Sequence, residues 1–225
     1  MARQLSFDLP VRPALGREDF FVSPGNAMAV ALLDGWRNWA GGKLVLYGPE
    51  GSGKTHLAHV WAETTNATIL NSRDLAGLDI PSLAKNHVAI EDISAIAGDR
   101  AAEELLFHLH NLVLAEGNRL LLTDTRPAQV WGLTLPDLQS RMQGAQSIGL
   151  EAPDDALLTA VLTKLFADRQ LFPSPDTITY LLRHMDRSFS SAIKVVAAID
   201  KTGLEQNRAV NRKLASEVLD KLRNR

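Results

Sequence analysis

The sequence predicts an α/β fold: a five-stranded parallel sheet with helices on both faces, followed by an all-helical C-terminal part. Three observations carry this. Short apolar runs at 43–47, 67–70, 87–91, 119–123 and 147–150 have the length of buried strands, and Leu, Val and Ile fill most of the central three. Amphipathic stretches at 26–39, 55–63, 101–115 and 136–143 lie between them, and such alternation implies right-handed crossovers and parallel pairing. Past Pro153 the strand signal stops. Four helical stretches follow, at 154–169, 175–184, 188–201 and 208–222, punctuated by Pro173, Pro175 and Gly203. The expected organisation is an extended N-terminal peptide over 1–12, an α/β domain over 13–152 and a helical domain over 153–225.

Composition narrows the function classes. The 225 residues carry 24 Lys and Arg against 26 Asp and Glu, a net charge of −2, so the chain is no polycation that coats nucleic acid through charge alone. A hydrophobic fraction of 45% and a charged fraction of 22% are those of a globular protein rather than a disordered one. With no cysteine there is no disulfide framework, zinc knuckle or thiol nucleophile. The N-terminus has no apolar signal-peptide core and no run approaches a membrane span, so a cytoplasmic chain without a membrane partner is expected.

The strongest local signal is Gly48-Pro49-Glu50-Gly51-Ser52-Gly53-Lys54-Thr55, which fits G-x-x-x-x-G-K-[ST] at every fixed position. It lies between a predicted strand and a predicted helix, the context such a phosphate loop needs. Glycines let successive N–H groups face one concavity, and the helix N-terminus adds partial positive charge where phosphate oxygens lie. Lys54 brings a full charge, Thr55 a hydroxyl for Mg²⁺, and His56 follows in the first helical turn. A nucleotide with Mg²⁺ is the expected ligand. A second acidic site closes the 87–91 run: Glu91 is placed to hold Mg²⁺ through its water shell and Asp92 to orient an attacking water. The order is the reverse of the usual one, and Asp92 is a methylene shorter than the Glu expected there.

These motifs, with Ile93 to Asp99, Leu120 to Pro127, the Leu135 to Arg141 run and the helical tail, resemble the DnaA-related AAA+ family, and within it the Hda-type regulatory inactivators. The resemblance implies an AAA+ sheet domain with a helical lid. It implies a negative regulator of DNA replication initiation with two partners, DnaA and the sliding clamp of DNA polymerase III, and it allows a homo-oligomer. The N-terminal Gln4-Leu5-Ser6-Phe7-Asp8-Leu9 looks like the short peptides that dock on that clamp, with Gln4 as polar anchor, Leu5, Phe7 and Leu9 as apolar plugs, Ser6 between them and Pro10 blocking a helix. DnaA carries a helix-turn-helix DNA-binding domain that has no counterpart in this sequence, so direct DNA binding is expected to be weak or absent; the basic stretch from Arg208 onward is read as a solvated face.

The resemblance also assigns roles to single residues. Phe21, Val22 and Asn26 fall in the segment that receives adenine. The polar strand-end group is Thr123 or Asp124, with Asp124 the candidate. Arg141 matches the arginine finger that reaches a neighbour's nucleotide, where a guanidinium offsets charge on the γ-phosphoryl oxygens. One position departs from the family: its lid arginine is replaced by Ser190, with Arg187 one turn earlier and Lys194 one turn later. Either cation shares the face, and Arg187 is the candidate. With the Glu91–Asp92 order, this predicts weak or absent ATPase activity of the chain's own. The alternative expectation is a self-sufficient AAA+ ATPase acting as a remodeller or helicase loader.

Overall fold

The computed structural model describes residues 22–223. Gln4, Leu5, Ser6, Phe7, Leu9 and Phe21 lie outside the described residues. Five parallel strands, β1 (Lys43–Tyr47), β2 (Thr68–Asn71), β3 (Val88–Glu91), β4 (Leu120–Asp124) and β5 (Gln146–Gly149), form one sheet in the order β2-β3-β4-β1-β5. Lys43 pairs with Leu120 and Tyr47 with Asp124, while Leu44 pairs with Gln146. Side chains of a strand alternate between faces. Val45, Ile90 and Leu122 therefore pack on one side, and Leu44, Leu46, Ala89 and Leu121 on the other. Both faces are covered, which is why the central strands read as unbroken apolar runs.

Helices α1 (Ala27–Asp34) and α2 (Lys54–Thr65) cover one face; α3 (Ile80–Leu83), α4 (Arg100–Ala115) and α5 (Pro136–Gln143) cover the other. The expected helix over 26–39 is shorter than its period. It stops at Gly35, and two 3₁₀ turns, Trp36–Asn38 and Ala40–Gly42, lead into β1. Trp39 Nε1 donates to the Leu32 carbonyl at 2.7 Å, and its ring stacks on Trp61 at 5.2 Å, so aromatic burial overrides continuation of the helix. Short 3₁₀ turns at Ser72–Gly77, Ile93–Ile96 and Ala128–Val130, and α3 itself, span too few residues to show a period.

The C-terminal helices α6 (Asp155–Ala167), α7 (Pro175–His184), α8 (Phe189–Gln206) and α9 (Arg212–Arg223) surround a core of their own, built on Leu158, Leu162, Phe166, Leu181, Val196, Ile199 and Leu214. Asp154 caps α6 by accepting from Leu157 N–H, and Ser188 caps α8 by accepting from Ser191 N–H. Gly203 does not end α8, which runs on through it to Gln206. A Cβ there would stand 3.2 Å from the Arg208 carbonyl oxygen, so this glycine admits the returning chain rather than breaking the helix. Among the described residues no helix is long and apolar enough to cross a membrane.

Glu103, fully buried on α4, ties the layers together. Its carboxylate accepts from Gly98 N–H at 2.8 Å, Thr134 N–H at 2.9 Å, Thr134 Oγ1 at 3.1 Å and Leu135 N–H at 2.6 Å. Burial alone would raise its pKa; the donors from Thr134, Gly98 and Leu135 outweigh that and hold it below the ordinary value. Glu103→Ala is expected to cost about 3–5 kcal/mol by orphaning three N–H groups, and Glu103→Gln less, as read from urea unfolding midpoints.

Candidate functional site

The loop between β1 and α2 lies where β1, β4 and β5 end together. Gly48 N–H donates to the Asp124 carbonyl at 3.2 Å and Leu150 N–H to the Tyr47 carbonyl at 2.7 Å. A Cβ on Gly48 would stand 2.5 Å from the Leu150 carbonyl oxygen, so glycine is dictated by crowding. Gly51 (φ +71°) and Gly53 (φ +99°) occupy the left-handed region and meet the helical lid. A Cβ on Gly51 would fall 2.2 Å from Ser188 Cβ, and one on Gly53 would fall 3.0 Å from the Phe189 ring. Phe189 N–H donates to the Gly51 carbonyl at 3.0 Å. Pro49 and Glu50 form the exposed tip of the loop and Ser52 is buried beneath it.

Lys54 opens α2 and turns back over the loop, its ammonium donating to the carbonyls of Gly48 at 2.7 Å and Pro49 at 2.9 Å. Burial lowers its pKa, while Asp92, Asp124, Glu50 and Glu91 act the other way. Thr55 is exposed beside it and His56 half-buried. Two buried polar atoms near this end of the sheet, Ser52 Oγ and Glu91 Oε1, have no hydrogen-bond partner. A buried carboxylate oxygen left unpartnered at a strand end, with an exposed threonine hydroxyl on the loop, is the hard-oxygen donor set that Mg²⁺ takes. These residues fit a Mg²⁺-bound phosphate.

Asp92 follows β3 in a left-handed conformation (φ +57°), and its charge is the largest of those acting on Lys54. Asn71 Nδ2, on edge strand β2, donates to its Oδ2 at 2.8 Å, and Ser72 Oγ donates to its backbone carbonyl at 2.7 Å. Asp124, 1% exposed, spends both oxygens on internal donors: Ser94 N–H at 2.6 Å on one, and Ser94 Oγ at 3.1 Å, Thr125 Oγ1 at 3.3 Å and Arg126 N–H at 3.1 Å on the other. That geometry makes Asp124 a clasp between β4 and the turn after β3, whose charge still acts on Lys54.

Of the segment expected to receive adenine, 22–26 lie among the described residues. Asn26 Oδ1 accepts from Ser23 N–H at 2.8 Å and closes the turn into α1. Val22 lines a cavity of about 90 Å³ beside α2 with Val30, Leu33, Val60, Trp61 and Thr64. A cofactor site takes roughly 300 Å³ or more. On the lid, Arg187 directly precedes the residue that touches Gly51, and its guanidinium pairs with Asp155 Oδ1 at 2.5 Å. Lys194 lies five residues up α8 from Phe189, about 7.5 Å along the axis. Of the two cations, Arg187 is the one beside the loop.

No family model matches the chain. Solved structures do. Domain III of the Thermotoga maritima replication initiation protein DnaA aligns with a TM-score of 0.81 at 19% identity, over 95% of this chain and 98% of that one. This is a DnaA-like AAA+ fold. AMPPCP-bound DnaA from Aquifex aeolicus aligns with a TM-score of 0.72 at 18% identity, over 95% of this chain and 71% of that one. A point mutant of Thermotoga maritima RuvB gives 0.64 at 17% identity, over 87% of this chain and 68% of that one.

Within this AAA+ fold, Arg141 stands apart from the loop. It is exposed in the last turn of α5, its guanidinium carbon over the Phe107 ring, 5.4 Å from the centroid. Its charge acts on Lys43 and His110. Lys43 is the first residue of β1 and the loop follows the last, which sets the two ends about 16 Å apart. The buried Lys43 ammonium donates to His110 Nε2 at 3.0 Å, and His110 Nδ1–H donates to Asn111 Oδ1 at 3.1 Å. Sequence reading passes over this pair, because nothing in the strand or helix pattern announces that a lysine and a histidine 67 residues apart meet.

Two outcomes follow for this region. Gly51→Ala is expected to push Ser188 off the loop and cost about 2–4 kcal/mol, and Ser188→Gly in that background to restore part of it, both read by urea unfolding. Burial first, then Lys43, holds the His110 pKa down at about 4, with Arg141 adding to the shift. The folded pKa lies below the unfolded one, so nothing is lost at pH 7; as pH falls past 6.5 the unfolded chain gains a proton that the fold refuses. Stability is expected to drop by up to about 3 kcal/mol by pH 4. The Lys43→Met/His110→Leu double variant is expected to lack this component in pH-dependent unfolding.

Proposed function

We propose that this chain is an adenine-nucleotide-binding AAA+ regulator that works on another nucleotide-bound protein: it presents Arg141 to ATP held by DnaA, stimulates hydrolysis there and so switches the initiator off. The observation that carries the reading is the place of Arg141, an exposed cation across the sheet from the chain's own phosphate loop and without an ion pair among the described residues. A guanidinium so placed serves a phosphate outside its own molecule. It offsets charge as the bond between the γ-phosphorus and its bridging oxygen breaks, an effect worth about 10³–10⁵ in rate in other phosphoryl-transfer systems.

The chain's own nucleotide, ADP or ATP, would be held by the N–H groups of Gly51, Gly53, Lys54 and Thr55 and by the Lys54 ammonium, with Arg187 reaching its phosphates from the lid. Mg²⁺, when bound, offsets phosphate charge, and Thr55 and Glu91 are the residues that would hold it. The tether of Asp92 to Asn71 supports a structural rather than a consumed nucleotide, since the carboxylate that would orient water is engaged on the β2 side. On the same reading the peptide with Gln4, Leu5, Ser6, Phe7 and Leu9 brings the chain to the DNA-loaded sliding clamp, in the cytoplasm and with little direct DNA contact.

Turnover of DnaA-bound ATP, measured with clamp and DNA present, tests this. Arg141→Ala is expected to lower the stimulated rate about 10³-fold while nucleotide binding by the chain itself stays normal. Gln4→Ala/Leu5→Ala is expected to abolish capture on purified clamp. Stimulation that survives Arg141→Ala, or steady ATP turnover by the isolated chain that Lys54→Ala abolishes, overturns the reading in favour of a self-sufficient ATPase.

A further inference from the structure

Arg141 is exposed in the last turn of α5. Among the described residues it has no ion pair, and its named contact is the face of Phe107. That ring is half-buried on α4 and packed against the main core, so its position is fixed by the fold. One turn further along the same helix stand His110 and Asn111, and His110 is the acceptor for the buried ammonium of Lys43. No carboxylate is among the groups that act on this cluster. Burial and Arg141 are what move Lys43; burial, Lys43, Asn111 and Arg141 are what move His110. The start of β1 and the facing side of α4 and α5 thus bring together Lys43, His110 and Arg141.

A ring face attracts a guanidinium through its quadrupole but supplies no hydrogen-bond acceptor. It therefore holds Arg141 while leaving the five N–H donors of the fork unspent. The Lys43 charge repels the guanidinium from behind, so the low-energy direction is outward. We propose that Phe107 is a positioning residue that aims Arg141 at an oxyanion carried by another molecule, with Lys43 as the like charge that keeps the guanidinium from folding back onto the sheet. This rests on the reading that Arg141 acts on a partner's polyphosphate, and it names what orients it. Arg141 is the group that touches the reacting phosphate; Phe107 acts through it.

The test uses the full chain with DnaA, clamp and DNA, and compares Phe107→Leu, which keeps the bulk and loses the ring face, with Phe107→Tyr, which keeps both. Phe107→Leu is expected to slow stimulated hydrolysis about five- to tenfold at saturating chain without moving the half-saturating concentration, and Phe107→Tyr to restore it. In an Arg141→Ala background Phe107→Leu is expected to change nothing further. Equal rates for Phe107→Leu and the native chain, equal losses for Leu and Tyr, or a further loss in the Arg141→Ala background would overturn the proposal and leave the functional reading standing. If instead Arg141→Ala has no effect, the functional reading fails. The Arg141 Nε–Hε resonance then decides: a signal displaced by Phe107→Leu keeps the positioning for a different oxyanion, and an unmoved one ends it.

Discussion

Backbone crowding at the end of β1 is the constraint on which this molecule depends. The carbonyl of Leu150 passes so close to Gly48 that no Cβ fits, and the cap of α8 passes so close to Gly51 that none fits there either. Glycines at these points let two strands, a helix N-terminus and the lid share one small volume. Phe189 N–H donates to the Gly51 carbonyl and joins the lid to the loop. A change in the loop is felt on α8, and a change on α8 is felt in the loop. That coupling needs no flexible hinge, because the two backbones are in contact.

Parallel strands give the sheet two chemically distinct ends, and the chain uses them differently. At the C-terminal ends, Glu50, Glu91, Asp92 and Asp124 surround one lysine. At the N-terminal ends, Lys43, His110 and Arg141 gather with no acid. Neither arrangement is relaxed on its own: the first leaves a carboxylate oxygen of Glu91 unpartnered, and the second leaves Lys43 with a neutral histidine for its acceptor. The buried carboxylate of Glu103 shows the contrast, since its donors satisfy it internally and it faces no ligand.

Much of this was legible in the residues. All five strands fall within a residue or two of their apolar runs, the central β1, β3 and β4 because burial on both faces leaves an unbroken signal, and α5 and α7 begin at Pro136 and Pro175, as a proline at the first helical position allows. The phosphate loop was legible because its glycines are required by contacts that any such loop makes. What was not legible is tertiary. The break at Gly35 follows from where Trp39 finds Trp61, and the continuation through Gly203 from where the chain returns. The engagement of Asp124 with Ser94 and of Asp92 with Asn71 pairs residues 30 and 21 positions apart, beyond the reach of any local pattern. Arg141 could be singled out by its motif, but not the ring that holds it.

The distance between the two ends has a consequence for assembly. A cation at one end of a sheet and a phosphate site at the other cannot meet within one chain, and they cannot meet across a two-fold axis that juxtaposes like ends. In a head-to-tail, heterologous contact they would meet between two chains. Such a contact leaves one loop and one arginine unused at its two extremities, so it propagates unless the second partner ends the series. A regulator that gives its arginine to a different protein uses one of its ends and leaves its own loop, capped by Ser188 and Phe189, turned away from that partner. On the proposed function, the packing of Ser188 and Phe189 on the loop would keep the chain's own loop with its own lid, and the exposed Arg141 would be the end left to a partner.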